Sequence, residues 1–224
     1  PRSTLFPYTT LFRSICASNQ NRVLADFFQT GSYTSDREFY KTSSPSMDIL
    51  ISSNLERFLY HLAGGEKVAA WYEALETTWA FAVDQATKAA MDALIHPGWT
   101  DEAETAAEIA RVWSRHGYLM DTHTAVGCVV AEEYRKESGD GIPIILDSTA
   151  SPYKFGETVN EAAVGPIPGG TDDLELFKAI SRKRGTPLHR TVDGLEALPV
   201  LHDRRITIPR AGTTILDILQ HQKG

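Results

Sequence analysis

Leu146-Asp-Ser-Thr-Ala-Ser-Pro-Tyr-Lys-Phe155 decides how the rest of this chain is read. It continues a short apolar run, Ile142, Ile144, Ile145 and Leu146, which follows Gly141 and predicts a buried strand. The composition then switches to small hydroxyl residues, and Pro152 suits the first turn of a helix with Ser151 as its cap. Tyr153, Phe155, Val159 and Ala162 recur at helical spacing beyond it. A strand ending in Ser148-Thr149 at a strand-to-helix turn stands where open α/β sheets place ligand-contacting groups. Local chemistry alone favours the plainer alternative, a capped helix with no ligand.

The flanking sequence alternates elements in the same way. Ile15–Ala17 reads as a core strand, followed by a helix over Arg22–Gln29 that ends at Thr30-Gly31. Ser32–Ser44 is polar and reads as a surface loop, and Asp48–Ile51 is strand-like. Ser53 and Glu56 have the spacing of a capping box for a helix over Asn54–Ala63, which Gly64-Gly65 stops. A further helix over Lys67–Leu75 is expected, then a short strand over Trp79–Val83 and a helix from Asp84 to Ile95. His96-Pro97-Gly98 reads as a break. Asp101 with Glu104 opens the next helix, closed by Gly117, and Asp121 stands at the N-cap of another that runs to about Lys136. Pro166-Ile-Pro-Gly-Gly170 reads as a linker, with helices expected over Asp172–Arg184 and Thr214–Gln220.

Composition narrows the function classes. Apolar content of 42% and charged content of 23% are ordinary for a globular domain. A net charge of −7 offers no basic footprint, so no nucleic-acid partner is expected. Cys16 and Cys128 are too few for a disulfide framework or a metal site and read as small core residues. No apolar run approaches the length that spans a membrane, so no membrane is expected and cytoplasm is the default. Residues 1–14 lack the continuous apolar core of a secretory signal. They resemble the in-frame translation of a sequencing-adapter oligonucleotide, which puts the first native residue at Ile15.

Taken as a whole string, Ser148-Thr-Ala-Ser-Pro-Tyr-Lys-Phe155 resembles a signature of threonine synthases. These are pyridoxal-phosphate (PLP) enzymes with the fold of the tryptophan synthase β subunit. Three more stretches resemble the same family in the same order: Ile15-Cys-Ala-Ser-Asn-Gln-Asn21, Ser43-Ser-Pro-Ser-Met-Asp-Ile-Leu-Ile-Ser-Ser-Asn-Leu-Glu-Arg57 and Gly117-Tyr-Leu-Met-Asp-Thr-His-Thr-Ala-Val126. Leu188 to Leu201 resembles the family's tail, with Pro199-Val-Leu-His202 its most recognisable part. The resemblance implies an α/β fold with a twisted, mostly parallel sheet flanked by helices, present here as a partial domain. Residues 15–165 would be the C-terminal part of the PLP-binding catalytic domain and residues 166–224 a helical tail.

The resemblance also implies roles. Thr149, with Ser148, would face the pyridine nitrogen of PLP, where a neutral hydroxyl makes the ring a moderate electron sink. The alternative is a turn residue that satisfies backbone groups. Asp121 would lie near the cofactor ring while also capping its helix, and Thr122 replaces the proline usual at that point. His123 would contact substrate phosphate or cap its helix. Ser46, at the end of the Ser46–Asp48 strand, would stand beside the cofactor. Asn54, with Arg57 one turn in, would offer an anion site at a helix start. Asn19 and Asn21 read first as turn formers. Lys154 matches a lysine of the signature that is not the Schiff-base lysine.

Two family features have no counterpart in this sequence: the Schiff-base lysine in its Phe-Lys-Asp context and the Ser-Gly-Asn-Phe-Gly-like phosphate loop. The expectation is therefore a threonine synthase fragment with no catalytic residue of its own and no activity alone. Its parent would convert O-phospho-L-homoserine and water to L-threonine and phosphate. The alternatives are a threonine-synthase-like phospho-lyase and a non-catalytic paralogue acting as a binding module.

Overall fold

The structure, a computed structural model, describes residues 13–139, 141–185, 187–190, 192–201 and 204–221. The adapter-like reading of the N-terminus falls on residues that, through residue 12, lie outside the described ones. Chain order begins β1 (Ser14–Ser18), α1 (Val23–Thr30), β2 (Ser32–Thr34), α2 (Leu55–Ala63), α3 (Gly65–Thr78), β3 (Ala80–Ala82) and α4 (Gln85–Leu94). It continues with β4 (Ile95–Trp99), α5 (Glu102–His116), α6 (Thr122–Ser138), α7 (Gly156–Ala163), α8 (Asp173–Arg184) and α9 (Ala211–His221).

Two apolar clusters hold the body together. The first forms because α1 turns Val23, Phe27 and Phe28 to one side. Phe27 meets Tyr33 and Phe81 edge-on, each at 5.5 Å between ring centres, and Tyr33 stacks on Phe81 at 5.1 Å. Those two rings face each other because β2 and β3 pair antiparallel with Tyr33 opposite Phe81. Gly31 ends α1 in the left-handed conformation, φ 78°, and lets the chain turn straight into β2. The second cluster joins α5 to α8 through Ile109, Val112, Ala125, Val159 and Ile180.

Between them β1 and β4 pair in parallel, Ser14 opposite Ile95 and Ser18 opposite Trp99. The His96-Pro97-Gly98 stretch, expected to break the pattern, is thus the middle of a strand. Both irregular residues have a place there. A Cβ at Gly98 would lie 2.4 Å from Val130 Cγ1, so glycine lets α6 pack directly on the strand. The Thr100 N–H donates to Ser18 O and sets the parity of the ladder. Even-numbered residues face β1, and Pro97 turns its missing N–H to the outer edge, where no ladder bond is lost.

Four other expectations change, the first being Ser32–Ser44, read as a surface loop, which opens with strand β2 and buries Tyr33, Thr42 and Ser44. Ile142–Leu146 is not a strand: it runs as irregular, mostly exposed chain, because no described strand lies alongside to pair with it. Asp48–Ile51 is loop, preceded by a 3₁₀ turn at Pro45–Met47. The Ser53 and Glu56 capping box is not formed, since α2 starts after Asn54 without a side-chain cap. By contrast, the Asp101 and Glu104 box closes as expected, and Asp121 caps α6. One compact unit ends at Leu188, so α8 packs with the body beyond the Pro166–Gly170 linker, and the second unit starts at His189 and contains α9.

Candidate functional site

The N-terminus of α6 is a fully buried polar point, with Asp121 and Thr122 both 0% exposed. The Asp121 side chain accepts from the N–H groups of His123 at 2.9 Å and Thr124 at 3.3 Å, satisfying two of the donors a helix start leaves open. It also accepts a short bond from the Thr124 hydroxyl and faces His123 Nδ1 at 3.2 Å. Thr124 Oγ1 in turn lies 3.1 Å from Ser148 Oγ. One turn further along α6, Gly127 leaves room for Leu146, since a Cβ there would meet Leu146 Cδ1 at 3.0 Å. These two contacts lay the irregular 146–148 segment against the first two turns of α6. Thr149 follows, exposed, before Ser151 caps the 3₁₀ turn Pro152–Phe155 that leads into α7.

On the other side of His123, its Nε2 accepts from the Ser46 N–H at 3.1 Å. The turn that carries Ser46 is anchored from the carboxyl end of β1. Asn19 Nδ2 donates to Thr42 Oγ1, Ser44 Oγ and Asp48 Oδ1 at 2.8 to 2.9 Å, and Thr42 N–H donates to Asp48 Oδ2 at 2.9 Å. Asn21 adds a bond to Asp48 and one to Tyr40 O. Thr122 Oγ1 donates to Ser43 O at 2.7 Å, a second link from α6 to this loop. Asn19 and Asn21 are therefore more than turn formers: they hold the loop of residues 40–48 in place.

Of the residues expected at the site, the structure brings together Asp121, His123, Ser46 and Ser148, with Thr149 next to the last. It does not bring Asn54 to them. The Asn54 side chain accepts from Arg57 of its own helix, and the chain just before it is tied to Tyr33, whose hydroxyl accepts from Ser52 N–H and donates to Leu50 O. Thr124, the residue that joins Asp121 to Ser148, went unnoticed in the sequence. Its position three after an N-cap aspartate, on the same side of the first turn, was the available signal. Cys16 and Cys128 are poor nucleophiles, burial pushing their thiols up to about 11 and about 12. A groove of about 590 Å³ along β4, lined by Phe28, His96, Gly98, Trp99, Val130 and Glu133 among others, contains none of the site residues. Among the described residues no group of His, Cys, Asp and Glu is arranged to hold a metal ion, and no helix is long and apolar enough to cross a membrane.

Solved structures share this architecture. A PLP-bound threonine synthase from Brucella melitensis matches with a TM-score of 0.63 at 34% identity, over 70% of this chain and 34% of that one. Threonine synthase from yeast matches with a TM-score of 0.72 at 30% identity, over 84% of this chain and 38% of the other. The fold is thus part of the α/β fold of PLP-dependent threonine synthases. Residues 124–195, starting inside the first turn of α6, match the family described as threonine synthase, C-terminal. The chain is similar in sequence to threonine synthases and to threonine-synthase-like proteins. Threonine synthase-like 1 of Pongo abelii is 36% identical over 181 residues, 80% of this chain and 24% of the relative. The chain therefore spans between a quarter and two fifths of the proteins it matches.

Proposed function

We propose that this chain is the C-terminal part of a PLP-dependent threonine synthase whose parent converts O-phospho-L-homoserine and water to L-threonine and phosphate. The observation that carries the reading is the docking of the Ser148–Thr149 hydroxyl turn on the buried start of α6, through the Ser148 and Thr124 hydroxyls 3.1 Å apart. The residues present fit one edge of the cofactor. The exposed Thr149 hydroxyl suits the ring nitrogen, with Ser148 beside it, Asp121 behind and the Ser46 turn alongside. The glycine pairs do not form a phosphate cradle: Gly64-Gly65 joins α2 to α3, and Gly169-Gly170 lies in the linker before α8. When bound, PLP supplies an electron sink for charge that develops on the substrate. Thr149 would hold the ring nitrogen, and His123 would keep the Ser46 turn and the α6 start in register beside the substrate. We assign the cofactor-anchoring lysine and the phosphate cradle to another part of the parent, so that this chain alone is inactive.

Fusing this chain behind the remaining portion of a threonine synthase tests the reading. The fusion should release phosphate from O-phospho-L-homoserine and form threonine, with kcat lowered by Thr149→Ala, while the chain alone releases none. Turnover by the chain alone would overturn the reading, as would a folded, PLP-binding fusion with no product. Similarity to a threonine-synthase-like protein favours a second reading, a phospho-lyase. Formation of 2-oxobutyrate in place of threonine would select it.

A further inference from the structure

Hydrogen-bond directions around Asp121 are fixed by chemistry, and together they assign it a task that its burial alone does not suggest. A carboxylate only accepts. The single hydroxyl proton of Thr124 is directed at Asp121, so the 3.1 Å bond to Ser148 must run from the Ser148 hydroxyl to Thr124 Oγ1. On the other side, a backbone N–H only donates, so His123 Nε2, which meets the Ser46 N–H, carries a lone pair. The ring proton is then on Nδ1, facing Asp121 Oδ1 at 3.2 Å. Thr122 agrees with this assignment. Its hydroxyl proton goes to Ser43 O, leaving its oxygen as an acceptor 3.4 Å from the same Nδ1.

We propose that Asp121 is a positioning residue that sets the hydrogen-bond polarity of both turns flanking the site. Through Thr124 it commits the Ser148 proton inward, so that Ser148 presents an acceptor to a ligand and suits an N–H or O–H group. Through His123 it holds the neutral Nδ1–H tautomer, whose Nε2 tethers the Pro45–Met47 turn. Asp121 itself, fully buried and met by four donors of its own helix, touches no ligand. The bearing on catalysis rests on the functional reading above, but the hydrogen-bond polarity does not, and the test reads the polarity without turnover.

The experiment is nitrogen-15 NMR on the full chain. His123 should show a protonated Nδ1 and an unprotonated Nε2, the reverse of the tautomer that free imidazole prefers. The buried Thr124 hydroxyl should give a resolved proton signal close to the Asp121 β protons. The Ser46 amide should exchange with solvent roughly five- to tenfold more slowly than in His123→Ala, as expected for one lost hydrogen bond. Asp121→Asn keeps an N-cap acceptor but supplies an amide donor, and should move His123 toward the Nε2–H tautomer. Should that variant fail to fold, His123→Gln and Thr124→Val carry the test. The glutamine retains an acceptor for Ser46 and should restore its protection, whereas Thr124→Val should leave the His123 tautomer untouched. A wild-type Nε2–H tautomer would overturn the proposal, and so would Ser46 exchange that is equal in wild type and His123→Ala.

Discussion

The start of α6 and the Ser148–Thr149 turn meet through two hydroxyls, yet they are built in opposite ways. Asp121 to Val126 are buried without a break, and the polar groups of that stretch are engaged by their own chain. Residues 145–149 are exposed, Ile145 to 88%, and reach α6 through Leu146 and Ser148. The first region is organised by local bonds within one helix turn and one neighbouring loop. The second carries a strand-like sequence in an irregular conformation. Pre-organisation on one side of the site is therefore set within one helix turn and its neighbouring loop, and on the other it rests on the contacts of Leu146 and Ser148 with α6.

The comparison can be broken most severely at Asp121. Asp121→Ala removes a helix cap and leaves the Thr124 hydroxyl and His123 Nδ1 without their acceptor, at a cost of about 3 kcal/mol. Urea denaturation should show the midpoint falling with an unchanged m-value. A second lever is pH, acting on the helix that supports α6. Glu108 of α5 is buried, and the bonds from Arg111 Nε and Nη2, both 2.6 Å, hold its carboxyl below the 4.5 of an ordinary glutamate. A lowered folded value means stability that is fully present above pH 4.5 and lost as pH falls through the lower one. The advantage of wild type over Glu108→Gln in thermal melts should be flat at neutral pH and shrink on acidification.

Smaller effects sharpen the contrast. In Gly127→Ala the helix gains up to about 1 kcal/mol of propensity, and the half-exposed Leu146 gives way. Thermal stability should rise slightly while amide exchange across 146–149 quickens, which would separate docking of the turn from stability of the helix. Ile145→Lys should change stability by no more than about 0.5 kcal/mol, because the side chain is in solvent. A larger loss would mean that the Ile145 side chain is packed against the chain after all.

The same division explains what could be read in the sequence. The Asp121 cap, the Asp101 and Glu104 box, the Gly117 stop and the amphipathic face of α1 are set by neighbours within four residues, and all of them form. The strand expected at Ile142–Leu146 does not form, because an apolar run becomes a strand only where another strand lies alongside, which no local pattern encodes. The error at His96-Pro97-Gly98 has the same origin with the opposite sign, because an edge position for Pro97 and the close approach of Val130 to Gly98 become visible only in three dimensions. At the site, motif resemblance singled out Asp121, His123, Ser46 and Ser148, which the structure brings together. It did not separate Asn54 from them or reveal Thr124, since both depend on where side chains meet.

Pro97 has a further effect outside the fold. The outer edge of β4 is a row of backbone groups that another chain could copy, and proline withdraws a donor from the middle of that row. An intermolecular ladder started there would be interrupted at its third residue, too early for the several consecutive bonds that growth of a cross-β stack requires. The residue that made this strand hard to recognise in the sequence thus also removes a donor that edge-to-edge pairing along β4 would use.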